Sequence, residues 1–130
     1  MDELLIEAKT ENIDVVLNFI NAHIEDCPVK VQNQIGVVID EIFSNIVYYA
    51  YNPATGSVTV RISADDNITI EFEDGGREYD PLSAKEPDVS LGIDERGTGG
   101  LGLFIVKNIM DSVEYRRDGS RNILTIRKKI

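Results

Sequence analysis

The sequence predicts an α+β fold in which a mixed, mainly antiparallel sheet forms one layer and about three helices cover one face of it. Residues 58–62 and 68–72 alternate apolar and polar residues, as half-buried strands do, and three further short segments are predicted to be strands. Three longer segments carry apolar residues at helical spacing. With 130 residues, 42% of them hydrophobic, the chain is long enough to form one core. We therefore expect a single domain over residues 1–130, built as a two-layer sandwich.

The first half of the chain is predicted to contain one strand and two helices. The strand covers residues 4–8, and the first helix begins near Asn12 or Asp14, either of which could cap it, and continues to about residue 25. A longer helix covers about residues 29–50. One apolar stripe along it contains Val31, Ile35, Val38, Ile42 and Ile46.

The second half is predicted to contain a hairpin, a third helix and a closing pair of strands. These elements cover residues 58–62 and 68–72 (hairpin), 101–111 (helix), and 113–117 and 122–128 (closing strands). A long polar segment at about residues 75–100 lies between the hairpin and the helix. Because such a segment is uncommon inside a compact domain and is usually functional, we predict a lid there; a plain surface loop is the alternative.

The charge balance excludes two classes of partner. Acidic residues number 23 and basic residues 13, which gives a formal net charge of −10. This charge argues against direct binding to nucleic acid or to an anionic membrane surface, because both need a basic face. No apolar run approaches the roughly 20 residues of a membrane span, and the N-terminus does not resemble a signal peptide. The single cysteine cannot form an internal disulfide, so we expect a cytoplasmic location.

The longer helix carries an acid and an amide one turn apart. Glu41 and Asn45 lie on the same flank of the apolar stripe, whereas Asp40 lies on the opposite side, about 100° away. An acid can orient a hydroxyl group or a water for attack, and an amide oxygen can bind Mg²⁺. The pair therefore predicts a catalytic base and a metal ligand; an ordinary polar pair at a helix edge is the alternative.

An acid also follows the second strand of the hairpin. Strand alternation places Asp74 on the core face, in line with Ile68, Ile70 and Phe72. A buried acid needs hydrogen-bond donors, and the amino group of an adenine would supply one. The following glycines, Gly75-Gly76, allow a sharp turn and the close approach of a flat ring. The alternative is an acid that only caps the turn.

Four glycines lie within six residues just before the third helix. Glycine-rich backbone at a helix N-terminus can bind phosphate groups through its N–H groups, so this run predicts a phosphate site; a flexible turn is the alternative. The run is not a Walker A motif, because no Gly-Lys-Ser/Thr follows. The candidate phosphate-binding residues are Gly97, Thr98, Gly99, Gly100, Leu101 and Gly102.

In this order and spacing, the three motifs resemble the ATP site of the GHKL ATPases. D-E-I-F-S-N is similar to the N box (E-x-x-x-N), E-D-G-G-R-E-Y-D-P-L to the D-x-G box, and G-T-G-G-L-G-L-F-I-V-K-N to the G2 box. The resemblance covers about residues 3–128. Its short format is most similar to the stand-alone anti-sigma-factor serine/threonine kinases of bacterial partner switching.

The resemblance implies a Bergerat-type sandwich that binds ATP with Mg²⁺ and phosphorylates a serine or threonine of another protein. In this resemblance Glu41 is the catalytic base, Asn45 binds Mg²⁺, Asp74 accepts the adenine amino group, and Gly76 is the second glycine of the D-x-G box. The implied partner is an anti-anti-sigma protein of the STAS type, with a sigma factor and a second copy of this chain as further candidates. One departure is Tyr49, near which many relatives carry a histidine.

Two other functions stay open at this point. A non-catalytic module could bind nucleotide, or protein alone, and sequester a sigma factor or another regulator. Such a module would need neither Glu41 nor Asn45, so their presence favours the enzyme. A small ATPase without a protein substrate would hydrolyse ATP at a rate that no partner changes.

Overall fold

The computed structural model describes residues 1–51, 55–83 and 98–129, and in this part of the chain it contains one five-stranded antiparallel sheet. The strands are β1 (Asp2–Glu7), β2 (Ser57–Ala64), β3 (Asn67–Asp74), β4 (Ser112–Asp118) and β5 (Arg121–Lys129). The helices are α1 (Ile13–Asn21), α2 (Val29–Asn45) and α3 (Thr98–Ile109). The strand order is β1-β2-β3-β5-β4, and every described pairing is antiparallel.

The predicted elements are confirmed, with differences at their ends. α2 continues through a π-helical turn at Ile46–Ala50, so the long helical segment ends where the sequence predicts. The first helix is shorter than expected, and Asn12 precedes it without capping it, because its Nδ2 donates to the carbonyl oxygen of Glu7 at 3.0 Å instead. α3 begins at Thr98, three residues earlier than predicted. Most of the predicted lid, residues 84–97, lies outside the described residues.

The core lies between one face of the sheet and the helices, as predicted for an α+β sandwich. Alternation along the strands places their apolar residues on this face, and the stripe of α2 packs against them. The buried residues of this face include Val58, Val60, Ile62, Ile68, Ile70, Phe72, Leu124 and Ile126. None of the helices in the described ranges is both long enough and apolar enough to cross a membrane.

The opposite face of the sheet is polar and held together by ion pairs. Arg61 donates to Glu3 at 2.8 Å and to Glu71 and Glu73 at 3.0 Å. Arg121 donates to the second oxygen of Glu73 at 2.9 Å. The hydrogen bond to Glu3 is the main cause that raises the pKa of Arg61, and the bond from Arg61 is the main cause that lowers the pKa of Glu73. These bonds stabilise the sheet from its outer side and occupy its charged groups.

His23 connects the turn after α1 to the first residue of β1. Its Nδ1 lies 2.8 Å from the carbonyl oxygen of Phe19, and its Nε2 lies 2.6 Å from Oδ2 of Asp2. A carbonyl and a carboxylate can only accept, so both ring nitrogens must donate when both bonds form, and the ring is then a cation. The hydrogen bond to Asp2 is accordingly the main cause that raises the pKa of His23.

We expect His23→Ala to lower the free energy of unfolding at pH 6 and to lower it less at pH 8.5. Because the pKa of His23 is raised in the folded state, its stabilising effect is complete below the unfolded value of 6.5 and is lost as the pH rises through the folded value. The loss should stay below about 1 kcal/mol, because Asp2 is largely exposed. Urea unfolding at both pH values measures it, with Asp2→Asn as a control that should show the same trend; an equal loss at both values would contradict the ion pair.

Candidate functional site

A cavity opens on the helical side of the sheet, between α2, the ends of β3 and β5, and a 3₁₀ turn at Pro81–Ser83. It contains about 470 Å³ of space that protein atoms do not fill, part of it open to solvent. Its walls are mostly apolar, with a few polar and aromatic side chains, which is the usual composition of a small-molecule site. These side chains are Asn45, Asp74, Tyr79, Tyr115 and Asn122.

Asp74 is the buried acid of this cavity. Only 5% of its surface is exposed, as strand alternation predicts. Its Oδ1 accepts from the backbone N–H of Gly76 and from Nδ2 of Asn122, both at 2.9 Å. Among the residues that the structure describes, no donor reaches Oδ2 of Asp74. Since a buried carboxylate oxygen needs a donor, this atom is suited to an amino group in the cavity.

Asn122 lies directly across from Asp74 on β5 and is also buried, with 5% of its surface exposed. Its Nδ2 donates to Asp74 and to the carbonyl oxygen of Arg77, the latter at 2.8 Å. Its Oδ1 accepts from the hydroxyl group of Tyr115 at 2.6 Å and from Nη1 of Arg117 at 3.0 Å. Asn122 is not among the site residues that the sequence motifs predict. The signal that could have found it is the one that identified Asp74, a polar residue at an inward position of a strand.

Glu41 and Asn45 lie on one side of α2, as predicted, but in different surroundings. Asn45 lines the cavity, whereas the carboxyl group of Glu41 lies against Gly102 on α3. Burial is the main cause that raises the pKa of Glu41, and the neighbouring charge of Asp40 adds to it. Asp40 itself is exposed and faces a surface groove beside Val37. Of the two neighbouring acids, Glu41 therefore lies against α3, whereas Asp40 lies in solvent.

Gly76 lies close to the end of the helical segment that contains α2. A Cβ added there would lie 2.7 Å from the carbonyl carbon and from Cβ of Ala50. The next residue, Arg77, donates its N–H to the carbonyl oxygen of Ala50 at 3.1 Å. The turn after Asp74 thus packs directly on the helix, and only glycine leaves room for that contact.

The glycine run lies mostly inside α3 and not in a loop before it. Gly99, Gly100 and Gly102 belong to the first turns of the helix, which begins at Thr98, and Leu101 lies among them. Glycine disfavours helix, which explains the later start that the sequence predicts; packing of α3 on α2 outweighs that preference. The first N–H groups of a helix have no partner inside it, so this end can bind an anion. Gly97 lies outside the described residues.

Two stacked tyrosines lie beside the cavity, and one of them lines it. The rings of Tyr49 and Tyr79 are stacked, with centroids 5.0 Å apart and planes 13° from parallel. Tyr49 belongs to the π-helical turn, and Tyr79 lines the cavity. Burial is the main cause that raises the pKa of Tyr79. Among the described residues, Tyr79 lines the cavity and Tyr49 does not, so the ring of Tyr49 packs against Tyr79 from the side away from the cavity.

A comparison with known protein families decides the family. The sequence profile described as "Histidine kinase-like ATPase domain" matches residues 6–128, nearly the whole chain. The chain belongs to this family. The resemblance that the three motifs indicate is therefore confirmed.

Named relatives of this histidine kinase-like ATPase domain include protein kinases. The chain is 31% identical over 90 residues to the serine/threonine-protein kinase BtrW of Bordetella bronchiseptica, and this alignment covers 67% of this chain and 63% of the relative. It is 27% identical over 93 residues to the serine-protein kinase RsbW of a Bacillus cereus strain, and this alignment covers 68% of this chain and 58% of the relative. The match thus spans about three fifths of the length of these relatives.

Solved structures support the fold. The blue-light activated histidine kinase of Erythrobacter litoralis EL346 superposes with a TM-score of 0.62 at 22% identity, over 92% of this chain and 41% of that chain. The histidine kinase AdeS of Acinetobacter baumannii superposes with a TM-score of 0.54 at 17% identity, over 99% of this chain and 68% of that chain. At such low identity these likenesses establish the architecture alone.

Proposed function

We propose that this domain binds ATP with Mg²⁺ in the cavity beside α2 and phosphorylates a serine or threonine of a separate small protein. The observation that carries the proposal is the state of Asp74, a buried carboxylate with one oxygen fully bonded and the other lacking a donor among the described residues. The similarity to two named serine or serine/threonine protein kinases supports the reaction class.

Base recognition falls to Asp74 in this proposal. The 6-amino group of adenine donates to Oδ2, while the apolar walls of the cavity exclude water from the rest of the ring. A guanine or hypoxanthine ring presents an oxygen at the same position and would meet a second acceptor there. Gly76 supports this geometry, because its contact with Ala50 holds the backbone N–H that bonds Oδ1.

Mg²⁺ binding falls to Asn45. The described residues contain no group of three or more His, Cys, Asp or Glu side chains that could hold a metal ion. Mg²⁺ is usually bound by one or two protein oxygens together with substrate phosphates and waters, so a single amide oxygen at the cavity wall fits it. The ion would supply charge neutralisation at the phosphates, and the N–H groups at the start of α3, including those of Thr98, Gly99 and Gly100, would bind phosphate oxygens.

Glu41 acts as the general base. It accepts the proton of the serine or threonine hydroxyl group as that oxygen bonds to the γ-phosphorus, and the bond between the γ-phosphorus and the bridging oxygen of ADP breaks. A raised pKa makes Glu41 a stronger base than an exposed glutamate. Its contact with Gly102 places it beside the first turns of α3, where the phosphates are proposed to bind.

Two glycine substitutions should separate stability from transfer. Gly76→Ala places a Cβ against the backbone of Ala50, which cannot move freely, so we expect the free energy of unfolding to fall by about 1–3 kcal/mol. Gly102→Ala meets only the carboxyl end of Glu41, a flexible group, so stability should change little while phosphoryl transfer falls at least about tenfold. Thermal unfolding and a transfer assay measure the two effects.

The control for this pair is Gly36→Ala. Nothing lies within 4 Å of a Cβ at that position in the middle of α2, so the change should raise stability by up to about 1 kcal/mol and leave transfer unchanged. Wild-type transfer by Gly102→Ala would contradict the position proposed for Glu41.

The protein substrate in this proposal is an anti-anti-sigma protein of the STAS type, acted on in the cytoplasm. A sigma factor as second partner and a homodimer as working form extend the same proposal. The acidic chain, with a formal net charge of −10, should meet a partner with a basic surface faster than one with an acidic surface.

Mass spectrometry of a mixture tests the proposal. The protein is incubated with Mg²⁺, ATP and a purified STAS-type protein from the same organism, with EDTA in a parallel sample. We expect the STAS-type protein to gain one phosphate on a serine or threonine, and only in the sample with free Mg²⁺.

Each other outcome would replace the proposal by one of its alternatives. Tight binding of the partner without phosphate gain under saturating ATP would indicate a sequestering module. Release of inorganic phosphate at a rate that the partner does not change would indicate a small ATPase. No ATP binding at all would remove the nucleotide site.

A further inference from the structure

The orientation of the Asn122 side chain is fixed by the groups around it. Its Oδ1 faces three donors: the hydroxyl group of Tyr115, Nη1 of Arg117 and the backbone N–H of Tyr79, the last at 3.4 Å. Its Nδ2 faces two acceptors, Oδ1 of Asp74 and the carbonyl oxygen of Arg77. A flipped amide would set donors against donors and acceptors against acceptors, so only one orientation satisfies this buried group.

This orientation determines what Asp74 can do. With N–H groups of both Asn122 and Gly76 donating to it, Oδ1 of Asp74 is an acceptor and carries no proton. In the carboxylate form the other oxygen, Oδ2, is a pure acceptor. The group that reaches Oδ2 in the cavity must then be a donor.

We propose that Asn122 is a positioning residue that makes the cavity select a purine with an exocyclic amino group over one with an oxygen at the same position. This inference rests on the proposed function, because it assigns Asn122 a role at the proposed nucleotide site. Asn122 acts through Asp74: it donates to Oδ1, which leaves Oδ2 for a donor from the cavity, and it holds the carboxylate in register with β5. Arg117 couples this position to the turn, since its Nη1 donates both to Asn122 and to the carbonyl oxygen of Gly76, at 3.0 Å each.

Calorimetric titration with ATP and with ITP tests the role, because ITP has an oxygen in place of the amino group at position 6 of the purine and carries a hydrogen on N1. Asn122→Val and Asn122→Thr form a matched pair, since both residues have the same shape and suit a strand, and only threonine keeps a donor for Asp74. We expect wild type to prefer ATP. Asn122→Val should bind ATP at least about tenfold more weakly and lose most of the preference for ATP over ITP. Asn122→Thr should recover part of the ATP affinity and part of the preference.

Two controls separate positioning from folding. Asn67→Val makes the same change at an exposed position at the other end of β3 and should bind both nucleotides as wild type does. Tyr115→Phe removes the 2.6 Å bond to Oδ1 of Asn122 and should reduce the ATP preference even if the changes at position 122 prevent folding. Thermal unfolding of each variant identifies any that do not fold.

Failure of the proposed function and failure of the role of Asn122 would give different results. Absence of ATP binding by wild type would overturn the proposed function. ATP binding by wild type with no preference over ITP would leave the nucleotide site and the transfer reaction standing, and would overturn base recognition by Asp74 together with the role of Asn122. The role is also overturned if folded Asn122→Val keeps the wild-type preference, if the threonine and valine variants lose it equally, or if Tyr115→Phe keeps it in full.

Discussion

Glu41→Gln is expected to lower phosphoryl transfer by about 10²–10⁴-fold while ATP binds as in wild type. Glutamine preserves the size of the side chain and its contact with Gly102, so the packing of α2 on α3 should persist. What it removes is the only proton acceptor that our proposal places beside the N-terminus of α3. Single-turnover transfer to the STAS-type protein measures the rate, and calorimetry measures the affinity for ATP.

The pH dependence of transfer provides a second readout of the same residue. A general base works only when ionised, so the rate should fall as the pH drops through the pKa of Glu41. Because burial and Asp40 raise that pKa, the acidic limb should lie above the ordinary value of 4.5. In Glu41→Gln this limb should disappear from the small residual rate.

Asp40→Asn is the matched control, because it changes the neighbouring acid on the exposed side of α2. Transfer near neutral pH should stay as in wild type. The acidic limb should shift to lower pH, because removing the charge of Asp40 removes one cause of the raised pKa of Glu41. If Glu41→Gln transfers phosphate at the wild-type rate, Glu41 is not the base.

Much of the fold follows from local patterns in the sequence. Alternation in Ser57–Ala64 and Asn67–Asp74 predicts the hairpin and identifies the core face correctly, because a strand has a side-chain period of two. The stripe of α2 is predicted equally well. The start of α3 is not, because residues 98–102 have low helix propensity and their helical state depends on contacts with α2.

Local sequence patterns likewise predict part of the candidate site, and the rest depends on tertiary contacts. The inward position of Asp74 follows from strand alternation, and the shared flank of Glu41 and Asn45 follows from helical periodicity. The contact of Glu41 with Gly102 could not be predicted, because it joins residues far apart in sequence through the packing of two helices. The bonds that converge on Asn122 are likewise tertiary: they come from β4, β3 and the turn that follows β3.

Asp74→Asn is expected to weaken ATP binding by about 1–3 kcal/mol, roughly 5–150-fold in the dissociation constant. The new amide must orient its oxygen towards the N–H groups of Gly76 and Asn122, because the opposite orientation would set donors against donors. Its NH₂ group then replaces Oδ2 in the cavity. An adenine amino group would meet a donor where it needs an acceptor.

The same argument predicts that ITP gains from this substitution, because the oxygen at position 6 of its base can accept from the new NH₂ group. Asp74→Asn should therefore narrow or reverse the preference for ATP over ITP, which a general loss of structure would not do. Asp66→Asn, in the exposed turn of the same hairpin, makes the same change away from the cavity and should leave both affinities as in wild type. Calorimetric titration with both nucleotides measures the outcome, and equal ATP affinity for wild type and Asp74→Asn would show that Asp74 does not read the base.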